Sequence, residues 1–405
     1  MHQLVFESQS AGHRPEYIGH YLRYLDAHPL TGEDRVSFLV HPAIVESLGE
    51  LFGRLSANSA HRVSVVSLKS ADLDRFDAPP LQRAARELSY LRKYITAHHV
   101  DHLILGELDV YQIALGGTTG RRLGCSVSGI LFAPYHQLPT SDRRKRLQRL
   151  RKRLQLHWMF LNRNIRAVFV LNDVAGVEQL NQVTGFPRVF RYLPDPVEQR
   201  SSAPEDVRER FGLPADRELL LFIGGVQRRK NILTILQSLK LLPEAVRERV
   251  GFLILGLCRD SELLEDIKRQ QHDTGGVPAV FHNDFVSDSV FDAALQTAAL
   301  TYTVYTDFYC SSGIVGQAAK HGTPLLATAR GVIGDMVRQY RLGETLDEVT
   351  PVTVAAATCR LLNYPTTQMD SERFLREHTP QQFAAAMLQR RDDPAKATTN
   401  STHGR

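Results

Sequence analysis

Short apolar, β-branched runs recur along this chain with helix-patterned stretches between them, and that alternation constrains the fold more than any other feature of the sequence. The runs fall at residues 4–7, 36–40, 63–68, 102–105, 128–132, 167–171 and 189–193, then again at 219–223, 252–255, 279–281, 300–305 and 325–328. Apolar residues at helical spacing fill the gaps, as at 17–27, 43–55, 81–98 and 175–183. A strand that is apolar throughout is buried on both faces, and helices between successive strands make those strands parallel. The pattern predicts a doubly wound α/β architecture.

The polar stretch EQRSSAPEDVRERFGLPADR, residues 198–217, interrupts the alternation. With two prolines and few apolar residues it reads as a hinge, so residues 1–197 form one Rossmann-like domain and 198–391 a second, followed by a disordered tail at 392–405. A chain of 405 residues is long enough for two domains with separate cores, and 43% hydrophobic with 23% charged residues is the balance of a globular enzyme. Cys125, Cys258, Cys310 and Cys359 lie far apart without a Cys-x-x-Cys pair. That spacing points away from a disulfide framework or zinc site and toward a reducing compartment. The N-terminus has no basic segment leading into an apolar run, and no window approaches the roughly 18 apolar residues of a membrane span. The expectation is a cytoplasmic protein whose membrane contact, at the inner face, is peripheral.

Open α/β sheets bind ligands beyond the C-terminal ends of their strands, so two such domains facing across a cleft leave only a few loops to carry chemistry. After the first run comes SQSAGHRPEY, where Gly12 permits a tight turn and His13, Arg14 and Glu16 supply an acid–base group and charge. After the fifth comes FAPYHQLP, carrying Tyr135 and His136. In the second half, IGGVQRRKNI places Gly224 and Gly225 where a backbone can approach a ligand, with Arg228, Arg229 and Lys230 just before a helix. Glycines and cations at a strand-to-helix turn make a diphosphate clamp, because unpaired amides at the helix start add donors. The stretch 302–335 repeats the theme: a strand, a polar loop with Asp307, Tyr309, Ser311 and Ser312, then a small-residue helix from Gly313 to His321.

The segment SDRRKRLQRLRKRLQLHWMFLNRNIR is the compositional outlier, with eight basic residues among the eleven from 143 to 153 and Leu147, Leu150, Leu154, Trp158 and Leu161 at helical spacing. A basic amphipathic helix over 143–161 suits an anionic membrane surface or an anionic acceptor better than specific nucleic-acid readout.

Taken together, SAGHRPEY, AVFVLNDVAGVEQLNQVTGFPRVFRYLPDPVE, LLLFIGGVQRRKNILTILQSLKLL and SSGIVGQAAKHGTPLLAT resemble the GT-B glycosyltransferases, most closely the retaining family 4, over most of the chain. The resemblance implies an acceptor-binding N-terminal domain, a C-terminal domain binding a nucleotide-diphosphate sugar, no obligatory cofactor or metal, and a final helix near 380–391 crossing back to the first domain. It places Lys230 on the donor diphosphate beside Arg229, with Gly225 where many members carry arginine. Members usually have two glutamates eight positions apart. Anchored on Gly322-Thr323-Pro324, those positions hold Tyr309 and Gln317. Gln317 can still bond ribose hydroxyls, whereas Tyr309 has no carboxylate and Asp307 is the stand-in. The implied function is retaining transfer of a hexose from a nucleotide sugar to an acceptor hydroxyl of a lipid-linked or surface glycan, with His13 and His136 on acceptor or sugar hydroxyls. The replaced glutamates also allow a catalytically inactive nucleotide-sugar-binding partner of a biosynthetic complex.

Overall fold

The computed structural model describes residues 1–58, 62–140, 142–198 and 206–389. The chain divides into two compact units, Met1–Pro194 together with the chain from Thr379 onward, and Asp195–His378. In the first, β1 (His2–Glu7), β2 (Arg35–Val40), β3 (Val63–Ser67), β4 (His102–Leu105), β5 (Ser126–Leu131), β6 (Ile165–Leu171) and β7 (Phe190–Leu193) form one sheet in the order β3-β2-β1-β4-β5-β6-β7. In the second, β8 (Glu218–Ile223), β9 (Val250–Leu255), β10 (Ala279–His282), β11 (Ala298–Thr303), β12 (Leu325–Thr328) and β13 (Gly343–Leu346) follow the order β10-β9-β8-β11-β12-β13. Every strand pairing is parallel.

Burial explains why the runs are apolar throughout. Along β1, Leu4 and Phe6 enter the core on one face of the sheet while Val5 enters the core on the other. The same split separates Leu103 and Leu105 from Ile104, and Val168 and Val170 from Ala167 and Phe169. Successive side chains of a strand point to opposite faces, so helices on both sides bury the central strands on both faces and favour apolar residues at successive positions. In the second unit Leu219, Leu220, Leu221 and Phe222 are all buried for the same reason.

Several boundaries differ from the sequence expectation. The first boundary falls at Pro194, before the expected hinge: Val197 donates its N–H to the His378 carbonyl at 2.9 Å and packs against Gly316. Residues 199–205 of that hinge, and the 392–405 tail, lie outside the described residues. The helix expected over 43–55 is two pieces, Pro42–Ser47 and Gly49–Asn58, with glycine, a poor helix former, at the join. Strand β13 was not expected, since GETL is short and only its last residue is buried. The run at 300–305 ends as a strand at Thr303, and Val304 belongs to a loop, its carbonyl accepting from Asn231 Nδ2 at 2.6 Å. The final helix, Pro380–Leu388, belongs to the first unit, where Phe383 lies 4.6 Å from Tyr17 and 5.6 Å from Tyr21, ring centre to ring centre.

Candidate active site

Each sheet reverses its strand order beside its first strand, and open α/β sheets bind ligands at the C-terminal ends of the two strands at such a point. In the second unit these strands are β8 and β11. The loop after β8 holds Gly224, Gly225, Arg229 and Lys230; the loop after β11 holds Asp307, Tyr309, Ser311 and Ser312. Two bonds stitch the loops together, from the Thr306 N–H to the Arg229 carbonyl at 2.7 Å and from Asn231 Nδ2 to the Val304 carbonyl. The nine residues expected to bind the donor lie on two loops and one helix, and the fold makes those loops neighbours.

Lys230 is half-buried, its ammonium 4.9 Å from the Tyr305 ring centre and 5.6 Å from that of Phe222. Gly224 passes beside it with φ 111°, and a Cβ there would lie 3.4 Å from Nζ. Among the described residues the ammonium has no carboxylate and no hydrogen-bond acceptor. Burial, and then the neighbouring Arg229 charge, push the lysine down to about 8. Arg229 donates from Nε to Gln227 Oε1 at 2.8 Å and lies 4.4 Å over the Phe308 ring, while its Nη1 is buried with no partner. Two adjacent cations, partly desolvated and without a counter-charge, favour an incoming anion. Arg228 differs: it is committed to Asp260 at 2.8 Å and Glu262 at 2.5 Å.

The second loop adds backbone donors. Helix Gly313–His321 starts at Ser312, whose side chain does not cap it. Ser311 turns its hydroxyl to Asp195 at 3.5 Å. Gln317 is one turn along from Gly313, and its side chain has no hydrogen-bond partner among the described residues. Asp307 is exposed, with a left-handed backbone (φ 54°), and accepts a 3.3 Å bond from the Tyr309 hydroxyl. Tyr309, expected from the resemblance at a carboxylate position, therefore hydrogen-bonds the Asp307 carboxylate.

In the first unit the order reverses between β1 and β4, and a cavity of about 260 Å³ opens there, lined by Glu7, Gly12, His13, Arg14, Tyr17, Glu107 and apolar neighbours. Arg14 stands between two carboxylates, with Nε 3.3 Å from Glu7 and Nη2 2.7 Å from Glu107. Burial raises the Glu7 carboxyl to about 7 despite Arg14 and the Gln9 N–H, which pull it back. The loop is held from beneath by Glu87, a fully buried carboxylate that accepts from Ser8 Oγ and Tyr111 Oη, each at 2.5 Å. His13 sits at the rim, 3.4 Å from Glu16 and stacked on Tyr17.

His136 is placed differently. Its side chain is 4% exposed, Nε2 is 2.7 Å from Asp173, and Nδ1 is buried without a hydrogen-bond partner among the described residues. It does not line the cavity that His13 lines. Asp173 also accepts from Gln137 Nε2 and caps helix Val174–Asn181 through the Gly176 N–H at 2.7 Å. Sequence reasoning missed Glu7, Glu107 and Glu87. Glu7 and Glu107 carried a signal, Glu7 ending the first apolar run and Glu107 lying two residues past the fourth; Glu87 carried none, being one more glutamate on a helix. Among the described residues no group of three or more His, Cys, Asp or Glu is arranged to hold a metal ion, and no helix is long and apolar enough to cross a membrane.

No protein-family model matches the chain, and no curated protein sequence matches it. Solved structures do. WaaG, a glycosyltransferase involved in lipopolysaccharide biosynthesis, superposes with TM-score 0.61 at 13% identity, covering 96% of this chain and 99% of the other. Anabaena HepE in complex with UDP and glucose gives 0.65 at 14%, covering 96% and 98%. Sucrose-phosphate synthase from Thermosynechococcus elongatus gives 0.65 at 16%, with the same coverage of 96% and 98%. With its two doubly wound units, each on a wholly parallel sheet, the chain has the GT-B fold.

Proposed function

We propose that this chain is a glycosyltransferase that moves a hexose from a nucleotide sugar to an acceptor hydroxyl, with retention at the anomeric carbon, in the synthesis of a lipid-linked or surface glycan. The observation that carries the reading is the half-buried, unpaired Lys230 beside the orphaned Nη1 of Arg229, at the loop where the second sheet reverses its strand order. In transfer, the bond from the anomeric carbon to the β-phosphate oxygen breaks as one to the acceptor oxygen forms on the same face, and the acceptor's proton passes to the departing diphosphate. Charge grows on the departing diphosphate, and cations held in place before it arrives stabilise that charge more than they stabilise the bound substrate. Gln317 serves the ribose and Asp307, steered by Tyr309, the sugar. Uridine as the base is supported by the HepE complexes with UDP and UDP-glucose.

The acceptor belongs to the first-unit cavity. Two carboxylates around one guanidinium suit a neutral, hydroxyl-rich group, with His13 at the rim as its contact. An inactive sugar-nucleotide binder has less support, since the matched structures include WaaG, named as a glycosyltransferase, and a sucrose-phosphate synthase. Incubation with a panel of nucleotide sugars tests the proposal. Slow hydrolysis of one UDP-sugar is expected, lost in Lys230→Ala with the fold intact; a donor that stays whole, or an unchanged rate in Lys230→Ala, overturns it.

A further inference from the structure

The arginine-rich helix Arg143–Met159 is mounted with its polarity reversed from that of an ordinary surface helix. Such a helix normally turns its leucines to the core and its charges to water. Here only Leu156 and Met159 are buried. The protein-facing side is instead fastened by cations: Lys152 Nζ donates to the Ala133 carbonyl at 2.6 Å and Arg149 Nη1 to the Leu138 carbonyl at 3.1 Å. The remaining leucines face outward. Leu147 is 68% exposed, Leu154 59% and Trp158 47%, and Leu150, Leu161 and Ile113 extend the same strip. Trp158 is held in place by a 2.9 Å bond from Nε1 to the Ile113 carbonyl, with about half of the residue still exposed. Around the strip, Arg143, Arg144, Arg146, Arg151 and Arg153 are exposed and make no ion pair among the described residues.

We propose that this face inserts into the interface of an anionic lipid bilayer, with the leucine–tryptophan strip among the acyl-chain ends and the surrounding arginines on lipid phosphates. The inference is independent of whether the chain transfers sugar. Charge decides between possible occupants. A second copy of the same face would bring the same crowd of cations together without a counter-charge. A nucleic-acid backbone would match the arginines and leave the leucines in water. An anionic membrane surface answers both, because apolar insertion and phosphate attraction act on one helix face together.

The chain contains one tryptophan, so intrinsic tryptophan emission reports on this face alone. Full-length protein is titrated with vesicles of phosphatidylcholine and with vesicles of phosphatidylcholine and phosphatidylglycerol in equal parts. The anionic vesicles are expected to shift Trp158 emission to the blue and shield it from an aqueous quencher, with added salt reversing much of the effect. The double variant Leu147→Gln, Leu154→Gln, at exposed positions that leave the melting temperature unchanged, should weaken binding by about tenfold or more. The proposal is overturned if emission ignores the anionic vesicles, if the double variant binds them as tightly as the parent, or if the blue shift follows protein concentration without lipid, which would mark a self-association face.

Discussion

Lys230 and Glu7 are both ionisable groups whose ordinary charge is disfavoured by burial, and each predicts a distinct pH response. For Lys230, pushed down to about 8, the folded protein without ligand gives up its proton near pH 8, and a bound diphosphate restores it. Affinity for UDP is therefore full below pH 8 and falls above it. Calorimetric titration should show Kd rising toward about tenfold per pH unit beyond that point, with Lys230→Arg flattening the dependence. For Glu7 the sign is opposite in origin. Its folded value, about 7, lies above the ordinary glutamate value of 4.5, so the folded state holds the extra proton between them. Stability from this group is complete below pH 4.5 and is lost as pH rises to 7, by at most about 3 kcal/mol. Glu7→Gln should thus match the parent in melting temperature near pH 5 and exceed it near pH 8. A constant difference across that range would contradict the buried-carboxyl account.

At the scale of elements, the turn after β5 and helix Val174–Asn181 are locked together by the His136–Asp173 pair, and Gly176 leaves room for it. An added Cβ at Gly176 would lie 2.0 Å from His136 Nε2 and 2.4 Å from Asp173 Oδ2. Gly176→Ala should therefore cost about 2 kcal/mol or more in chemical denaturation, by breaking a buried hydrogen-bonded pair and a helix cap together. His136→Gln separates roles: a loss of turnover at unchanged melting temperature marks contact with substrate, and a fall in both marks the clamp. This pair also shows where sequence reading stops. Apolar runs report burial on both faces of a sheet, so the strands, their parallel order and helix Gly313–His321 were legible, as were the Gly224–Lys230 and Asp307–Ser312 loops from their glycines, cations and hydroxyls. The direction in which a side chain turns after its strand ends is set by partners distant in sequence. His136 meets Asp173, Glu7 meets Arg14 and Glu107, and Arg228 meets Asp260; none of these pairings has a local pattern. Strand β13 escaped for another reason, since an edge strand with three half-exposed residues has no apolar run to show.

At the scale of the whole molecule, the first unit is assembled from both ends of the chain, and its last piece is small but central. Helix Pro380–Leu388 opens with a Thr379–Gln382 capping box and a proline at its first turn, both of which favour starting a helix at that point. It buries Phe383, Ala384, Met387 and Leu388 in the core on one face of the first sheet. Gln3, on the central strand β1, donates from Nε2 to the Leu388 carbonyl at 2.7 Å, tying the helix end to the sheet across 385 positions of sequence. The first unit should therefore depend on residues encoded after the entire second unit, while the second unit should not. Phe383→Ala, emptying a fully buried site against Tyr17 and Tyr21, is expected to cost the first unit about 3–5 kcal/mol. If UDP binds at Lys230 as proposed, it stabilises only the unit that holds that residue, so scanning calorimetry distinguishes the units. The substitution should lower the transition that UDP does not move and leave the UDP-sensitive one in place. A chain ending at His378 should go further and lose the UDP-insensitive transition altogether. Equal loss of both transitions would mean that the helix supports the molecule as a single cooperative unit.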